Sequence, residues 1–311
     1  MEDKFMEKKQ SKVKAVIFAI IVTVAFLLLL SIAQSVMLVP DMLKAATEQG
    51  ITDGAELLEV VSAKEGLMAN AQFLSEIVLI VVMGLWYYLG YVKKEKLAGT
   101  YEPVTKKLSN GNNLAFVIFG CLAASSLVYV LYYVLEAAIP DQVDQFADTM
   151  SSLADNWKGL TAVMIGAPIE EELTIRGIIS KKTKRAFGVV GCVIISALCF
   201  SAIHANLIQG VYTLPLGLFY GFLAYKFNSV IPSMLCHIYH NSLAGIVEET
   251  IGVYGVVAVL VVSCVATFYF GKKAEVLKKT ASSYNEELAP TDCPNVTDVS
   301  MPSEDEASIS E

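Results

Sequence analysis

The sequence predicts an all-α fold: a polytopic membrane protein built as a bundle of about eight transmembrane helices. Three observations predict it. Of 311 residues, 55% are hydrophobic and 17% charged, and the mean hydropathy is +0.55, well off the norm for a soluble domain. Several apolar runs approach the roughly 20 residues that cross a bilayer. Those runs are also not broken into the amphipathic periods that a soluble core of this size would show.

The first run, Ala15 to Ala33 ("AVIFAIIVTVAFLLLLSIA"), follows a lysine-rich start. Its apolar part exceeds the roughly 7–15 residues of a signal-peptide core, so it reads as a signal-anchor helix, with a cleaved signal peptide as the alternative. Apolar windows and turn signals then place eight spans at 14–38, 72–92, 113–138, 159–180, 187–207, 210–226, 229–247 and 252–271. Between the first two, residues 40–71 mix polar residues with helical apolar spacing, which suits an amphipathic, membrane-proximal segment. From about Ala281 the chain is polar, acidic and poor in aromatics, as a disordered tail would be.

Positive charge marks the N-terminus, the 93–107 loop, "KKTKR" at 181–185, Lys226 and Lys272–Lys273, and it alternates with acidic stretches at 40–71 and 139–158. An even number of spans with both termini cytoplasmic satisfies this bias. Five of the six cysteines (Cys121, Cys192, Cys199, Cys236 and Cys264, with Cys293 in the tail) fall within apolar spans and read as small core residues. No internal repeat, Gly-rich phosphate loop or basic stripe with interleaved aromatics is present, so nucleic acid is not an expected partner. The lipid bilayer is.

The fourth span breaks the apolar rule. It contains "APIEEELTIRGII", with Glu170, Glu171, Glu172 and Arg176. Each charge at mid-bilayer costs about 2.5–3.5 kcal/mol, so four facing lipid separately would cost on the order of 10 kcal/mol. They must face protein or an aqueous cavity. Glu172 and Arg176 stand four residues apart on one helical face and can neutralise each other. Glu171 lies about 100° round the helix from Glu172 and about 140° from Arg176, so it needs a different partner. A carboxylate without an ion-pair partner suits a general base. Pro168 removes a backbone donor and strands the carbonyl of Met164, which widens the helix beside the glutamates; an ordinary tolerated kink is the other reading.

All three histidines also fall in spans: His204, His237 and His240. His237 and Asn241 again share a face at a spacing of four, whereas His240 has no companion and reads as structural. There is no H-E-x-x-H, no mid-span aspartate pair and no serine nucleophile in a Gly-x-Ser setting. What remains is a glutamate base, imidazoles and an amide. Those groups suit activation of a water for attack on a peptide carbonyl, with a donor for the developing oxyanion.

Three motifs carry a resemblance. E-E-x-x-x-R stands as Glu171, Glu172 and Arg176; F-x-x-x-H as Phe200 and His204; H-x-x-x-N as His237 and Asn241. In this order and within spans, the pattern resembles the CAAX protease and bacteriocin-processing (CPBP) family of intramembrane proteases, which includes the type II CAAX prenyl endopeptidases. The resemblance covers about residues 110–250. It departs at Ile175, where the family usually has a phenylalanine. It implies that Glu171 activates the water with His204 helping to position it, that His237 and Asn241 form the oxyanion hole, and that Glu172 and Arg176 support the first motif. It implies a mechanism without metal, while Glu171, His204 and His237 would be the ligands of a zinc-dependent version.

The expected organisation is then 1–110, two N-terminal transmembrane helices with an amphipathic extracytoplasmic segment; 111–273, the intramembrane protease core; and 274–311, an acidic cytoplasmic tail. The expected activity is that of an endopeptidase in a bacterial plasma membrane, acting on a membrane-attached or hydrophobic peptide. The competing readings are a non-catalytic immunity or binding protein of the same fold and a proton-coupled transporter, the latter disfavoured by the lack of a symmetric repeat. One tension accompanies this reading. Counted from the cytoplasmic loops, Glu171 lies about 10 residues into its span and His237 about 8, but His204 nearly 18, so at 1.5 Å per residue His204 would sit deeper. Convergence requires either that 181–190 project beyond the bilayer or that the fifth helix tilt.

Overall fold

The computed structural model describes residues 2–64 and 66–278. Among them every regular element is helical and there is no strand. From residue 279 the acidic tail, with Cys293, lies outside the described residues.

Helix α1 (Glu2–Gln49) is longer than the apolar run that predicts it. Ala15, Ala19, Val22 and Phe26 are buried, and their spacing of four, three and four residues puts them on one side. Ile17, Ile20, Ile21, Val24 and Leu28 are exposed yet equally apolar, which suits a helix that meets protein on one face and lipid on the other. The helix continues through Pro40, which is exposed. Helix α2 (Gly54–Ser62) starts on Asp53, whose carboxylate accepts the N–H groups of Ala55 and Glu56. Leu38, Ala45, Val61 and Ala71 form a small cluster, with Lys64 Nζ 2.9 Å from Asp41 Oδ1 beside it. The amphipathic 40–71 stretch is thus docked on the far end of α1.

Helix α3 (Leu67–Tyr87) packs against α1. Helix α4 (Gly111–Ala138) opens on Asn110, which caps the N–H groups of Asn112 and Asn113. Helix α5 (Pro140–Ala154) leads through a short helix, Trp157–Thr161, to α6 (Ala167–Glu172), which carries the three glutamates. There follow α7 (Ser180–Ile203), α8 (Leu207–Phe227), α9 (Ile231–Tyr239) and α10 (Gly245–Lys273). α10 lies along α4, and α7 lies along both α8 and α1. One continuous core, including Phe26, Leu79, Phe116, Ile175, Phe200 and Tyr220, joins them.

Among the described residues, six helices are long and apolar enough to cross a membrane: Lys12–Gln49, Leu67–Leu97, Gly111–Ala138, Trp157–Ile203, Leu207–Phe227 and Glu249–Lys273. The expected count of eight is not reached by that measure, and two glycines account for much of the difference. Expected spans 159–180 and 187–207 are two legs of one helical run that turns at Gly188 (φ 67, ψ −159), a conformation that glycine adopts without steric cost. Expected span 229–247 is α9 plus a π turn that runs directly into α10, whose own turn comes at Gly252 (φ 64, ψ 177).

The turn at Gly188 removes most of the depth tension. Cys192 Sγ donates to the carbonyl of Ser180 at 3.5 Å, and Thr183 Oγ1 donates to Cys192 Sγ at 3.5 Å. The second leg therefore starts level with residues 180–183. Counting eight residues back from Ser180 reaches Glu172, and eight forward from Cys192 reaches Phe200, about 12 Å along each leg. Glu172 and Phe200 are thus level, and His204 lies about three residues further along its leg than Glu171 does along its own.

α8 approaches α7 closely because Gly217 has no side chain: a Cβ there would stand 3.0 Å from Ala197 Cα and 3.2 Å from Phe200 Cδ1. Gly217→Val should destabilise the protein by about 1–3 kcal/mol through overpacking, read as a lower unfolding midpoint in detergent; an unchanged midpoint would contradict this packing.

Candidate active site

The glutamate helix is widened on both sides. Residues 162–166 and 173–179 are π-helical, a form that recurs at functional sites because it frees backbone groups and re-aims side chains. The Ala167 N–H reaches the carbonyl of Ala162, five residues back. The next carbonyl in that register, Val163, would look to Pro168, which has no N–H. Asn241 Nδ2 donates to it at 3.0 Å, and Ser242 Oγ donates to the Met164 carbonyl at 3.3 Å. Asn241 and Ser242 belong to a third π turn, His240–Ala244. The stranded carbonyl expected at Met164 is there, with Val163 beside it, and both are held by the H-x-x-x-N segment.

Glu172 and Arg176 form the expected pair. Arg176 Nη1 stands 2.8 Å from Glu172 Oε1 with both side chains fully enclosed. Nη2 donates to the carbonyl of Gly217 at 3.1 Å. The guanidinium packs over the rings of Phe200, 4.4 Å from the centroid, and Tyr220, 5.5 Å, so cation–π attraction in a desolvated site supplements the ion pair. The phenylalanine of the second motif is thereby a wall of the first.

Glu171 is aimed elsewhere, and its side chain is 13% exposed where that of Glu172 is closed. Its Oε2 is buried without a hydrogen-bond donor and lies 3.7 Å from His237 Nε2. The other nitrogen, Nδ1, lies 3.4 Å from Glu172 Oε1, a contact too poorly aligned for a strong hydrogen bond. His237 thus stands between the two glutamates. Its ring packs edge-on to Phe200 at 5.3 Å and over Tyr220 at 5.3 Å.

His204 joins through the same phenylalanine, edge-on at 5.1 Å. Its Nδ1 is 2.8 Å from the carbonyl of Phe200. A carbonyl can only accept, so Nδ1 carries the proton and Nε2 of the neutral ring presents a lone pair. The chain leaves α7 directly after it through Ala205 in left-handed geometry (φ 52). His240 stands apart, with Nδ1 3.2 Å from Ser125 Oγ and its ring against Tyr129, which fits its structural reading. The structure joins Glu171, His237, Glu172 and Arg176 in a chain of contacts, links His204 through Phe200, and seats Asn241 on the backbone about two turns before the glutamates.

Two residues escaped the sequence reading. Glu170, left without a role there, is 2% exposed and lies beside the carboxyl of Glu76 from α3, also 2% exposed. The rule that flagged 170–172, a charge inside an apolar span, applies equally to Glu76 in "FLSEIVLIVV".

Residues 154–243 match the family model described as type II CAAX prenyl endopeptidase Rce1-like. This segment is Rce1-like. It runs from just before α6 to the end of the π turn that carries Asn241, and so spans all three motifs. No curated protein and no solved structure matches the chain. The Rce1-like match implies a protease of the CAAX type working within the membrane.

A zinc-dependent version would need three ligands around one point. Among the described residues no three His, Cys, Asp or Glu side chains are grouped to hold a metal ion. Glu171 and His237 face each other, and His204, held at Nδ1 by the Phe200 carbonyl, keeps Nε2 free as a metal-bound histidine would, but the three are not gathered round one point. No step below passes through an ion.

Breaking a buried ion pair from one side leaves an uncompensated charge at a cost of about 3–5 kcal/mol. Arg176→Met and Glu172→Leu should each lower the unfolding midpoint sharply, and the double variant should lose much less than the sum. Strict additivity in a denaturation series would contradict the pairing.

Proposed function

We propose that the protein is an intramembrane endopeptidase in which Glu171 activates a water to cut a peptide bond of a membrane-attached or hydrophobic peptide. The observation that carries this reading is the division between neighbouring glutamates. Glu172 is sealed against Arg176, whereas Glu171 is partly open and faces His237 instead of a permanent cation.

In the proposed reaction the Glu171 carboxylate takes a proton from water as the water oxygen attacks the peptide carbonyl carbon. His204 Nε2, with its lone pair free, accepts the second water hydrogen and fixes the attack direction. The carbonyl π pair moves to oxygen, where His237 and the second N–H of Asn241 donate to the oxyanion. The intermediate collapses, the C–N bond breaks, and Glu171 returns its proton to the leaving amine. Glu172 and Arg176 hold the helix and His237 in place.

Several features support the setting. The six apolar helices fit a multi-pass membrane protein, and the lysine and arginine bias gives a cytoplasmic N-terminus. We infer a bacterial plasma membrane, with bacteriocin maturation or self-immunity among the roles a CPBP-type protease would fill.

The test is cleavage of a fluorogenic membrane-anchored peptide library by the purified protein. Glu171→Gln should lower kcat by about 10²–10⁴-fold, the usual worth of a general base, with the unfolding midpoint retained; His204→Ala should lower it less. Equal turnover by all three would remove the catalytic assignment and favour a non-catalytic binding or immunity role. Exhaustive chelation should leave cleavage intact, whereas loss restored by added zinc would contradict the metal-free mechanism.

A further inference from the structure

Glu76 is a buried carboxyl, 2% exposed, that the proposed reaction leaves unused. It belongs to α3, outside the Rce1-like segment. A buried carboxyl in an apolar helix persists only when partners hold it, and here they form a chain. Gln34 of α1 donates from Nε2 to Gln72 Oε1, Gln72 donates from Nε2 to Glu76 Oε1, and the Glu76 carboxyl lies beside that of Glu170, where the two can hydrogen-bond only with one of them protonated. The backbone makes room for this. A Cβ at Gly166 would stand 3.0 Å from both Cβ and Cγ of Glu76, so the Glu76 stem lies in the notch that a missing side chain leaves in the turn before Pro168.

The consequence concerns direction. The carbonyl of Glu170 accepts Thr174 Oγ1 at 2.8 Å within the same helical run. The run meets its neighbours on one face through the Glu172–Arg176 pair, whose guanidinium reaches the Gly217 carbonyl, and on another through Glu76, which lies against Gly166 and Glu170. Glu171 lies between these two fixed neighbours, with no hydrogen bond of its own on its buried oxygen. Its aim at His237 is set by them.

We propose that Glu76 is a positioning residue: through Glu170 it fixes the rotation of the glutamate helix, so that the Glu171 carboxylate faces His237. The Gln34–Gln72 pair holds Glu76 in turn, and two helices outside the Rce1-like segment complete the site. This rests on the endopeptidase reading above.

Full-length protein in detergent supplies the test, in two arms. In the first, Glu76→Leu should lower kcat on the membrane-anchored peptide by about 10–100-fold, the range seen when a supporting hydrogen bond to a reactive group is lost, with KM little changed. Glu76→Gln, whose amide still donates to Glu170, should recover most of that loss. Gly166→Ala, which pushes against the Glu76 stem, should reproduce the kcat loss in a protein that keeps both carboxyls. A wild-type kcat in Glu76→Leu, alongside an inactive Glu171→Gln, would overturn the inference and leave the endopeptidase reading standing. A wild type that cleaves nothing would overturn both. The second arm needs no activity: unfolding midpoints of Glu76→Leu, Glu170→Leu and the double variant should be non-additive. Additive losses would overturn the pairing whatever the protein cleaves.

Discussion

The Glu172–Arg176 ion pair is the constraint on which the rest of the site depends. An arginine fully enclosed among apolar helices is tolerable only if its charge is met. Glu172 meets the charge, the carbonyl of Gly217 takes a donor, and the rings of Phe200 and Tyr220 cover the faces. The partners come from α6, α7 and α8, so the pair pins these three helices at one height. Those same rings hold His237 and His204. A structural salt bridge thereby sets the place where two imidazoles can meet a second carboxylate.

That second carboxylate differs from its neighbour only by its angle on the helix. About 100° of rotation separates Glu171 from Glu172, enough to take it off the guanidinium and towards His237. Ordinary α-helical rotation supplies this angle; the π turns lie on either side of it, and Pro168 has no N–H to offer the upstream carbonyls. The H-x-x-x-N segment then occupies the freed carbonyls through Asn241 and Ser242. Local strain in one helix becomes the docking site of another.

Much of this was legible in the chain. Charge inside an apolar run, spacing of four between Glu172 and Arg176, and the three histidines confined to spans all follow from elementary energetics of the bilayer. The all-helical architecture follows from the same rule. What the sequence hid was three-dimensional. Gly188 reads as the second residue of an expected span, yet its positive-φ turn folds the chain back and levels Phe200 with the glutamates. The Glu76–Glu170 contact joins residues 94 positions apart, and no local spacing announces it, although Glu76 breaks the apolar rule as plainly as Glu170 does. Gly166 and Gly217 matter for the side chains they lack, which only a neighbouring helix reveals.

The most direct measurement of the central claim is an experimental structure of the Glu171→Gln variant holding an uncleaved membrane-anchored peptide. The account predicts the scissile carbonyl oxygen within hydrogen-bond reach of His237 and Asn241, with the residue 171 side chain and His204 on the side from which water attacks, and the Glu172–Arg176 pair unmoved. A peptide bound on another face, or a scissile carbonyl facing Glu172 with residue 171 turned away, would contradict it.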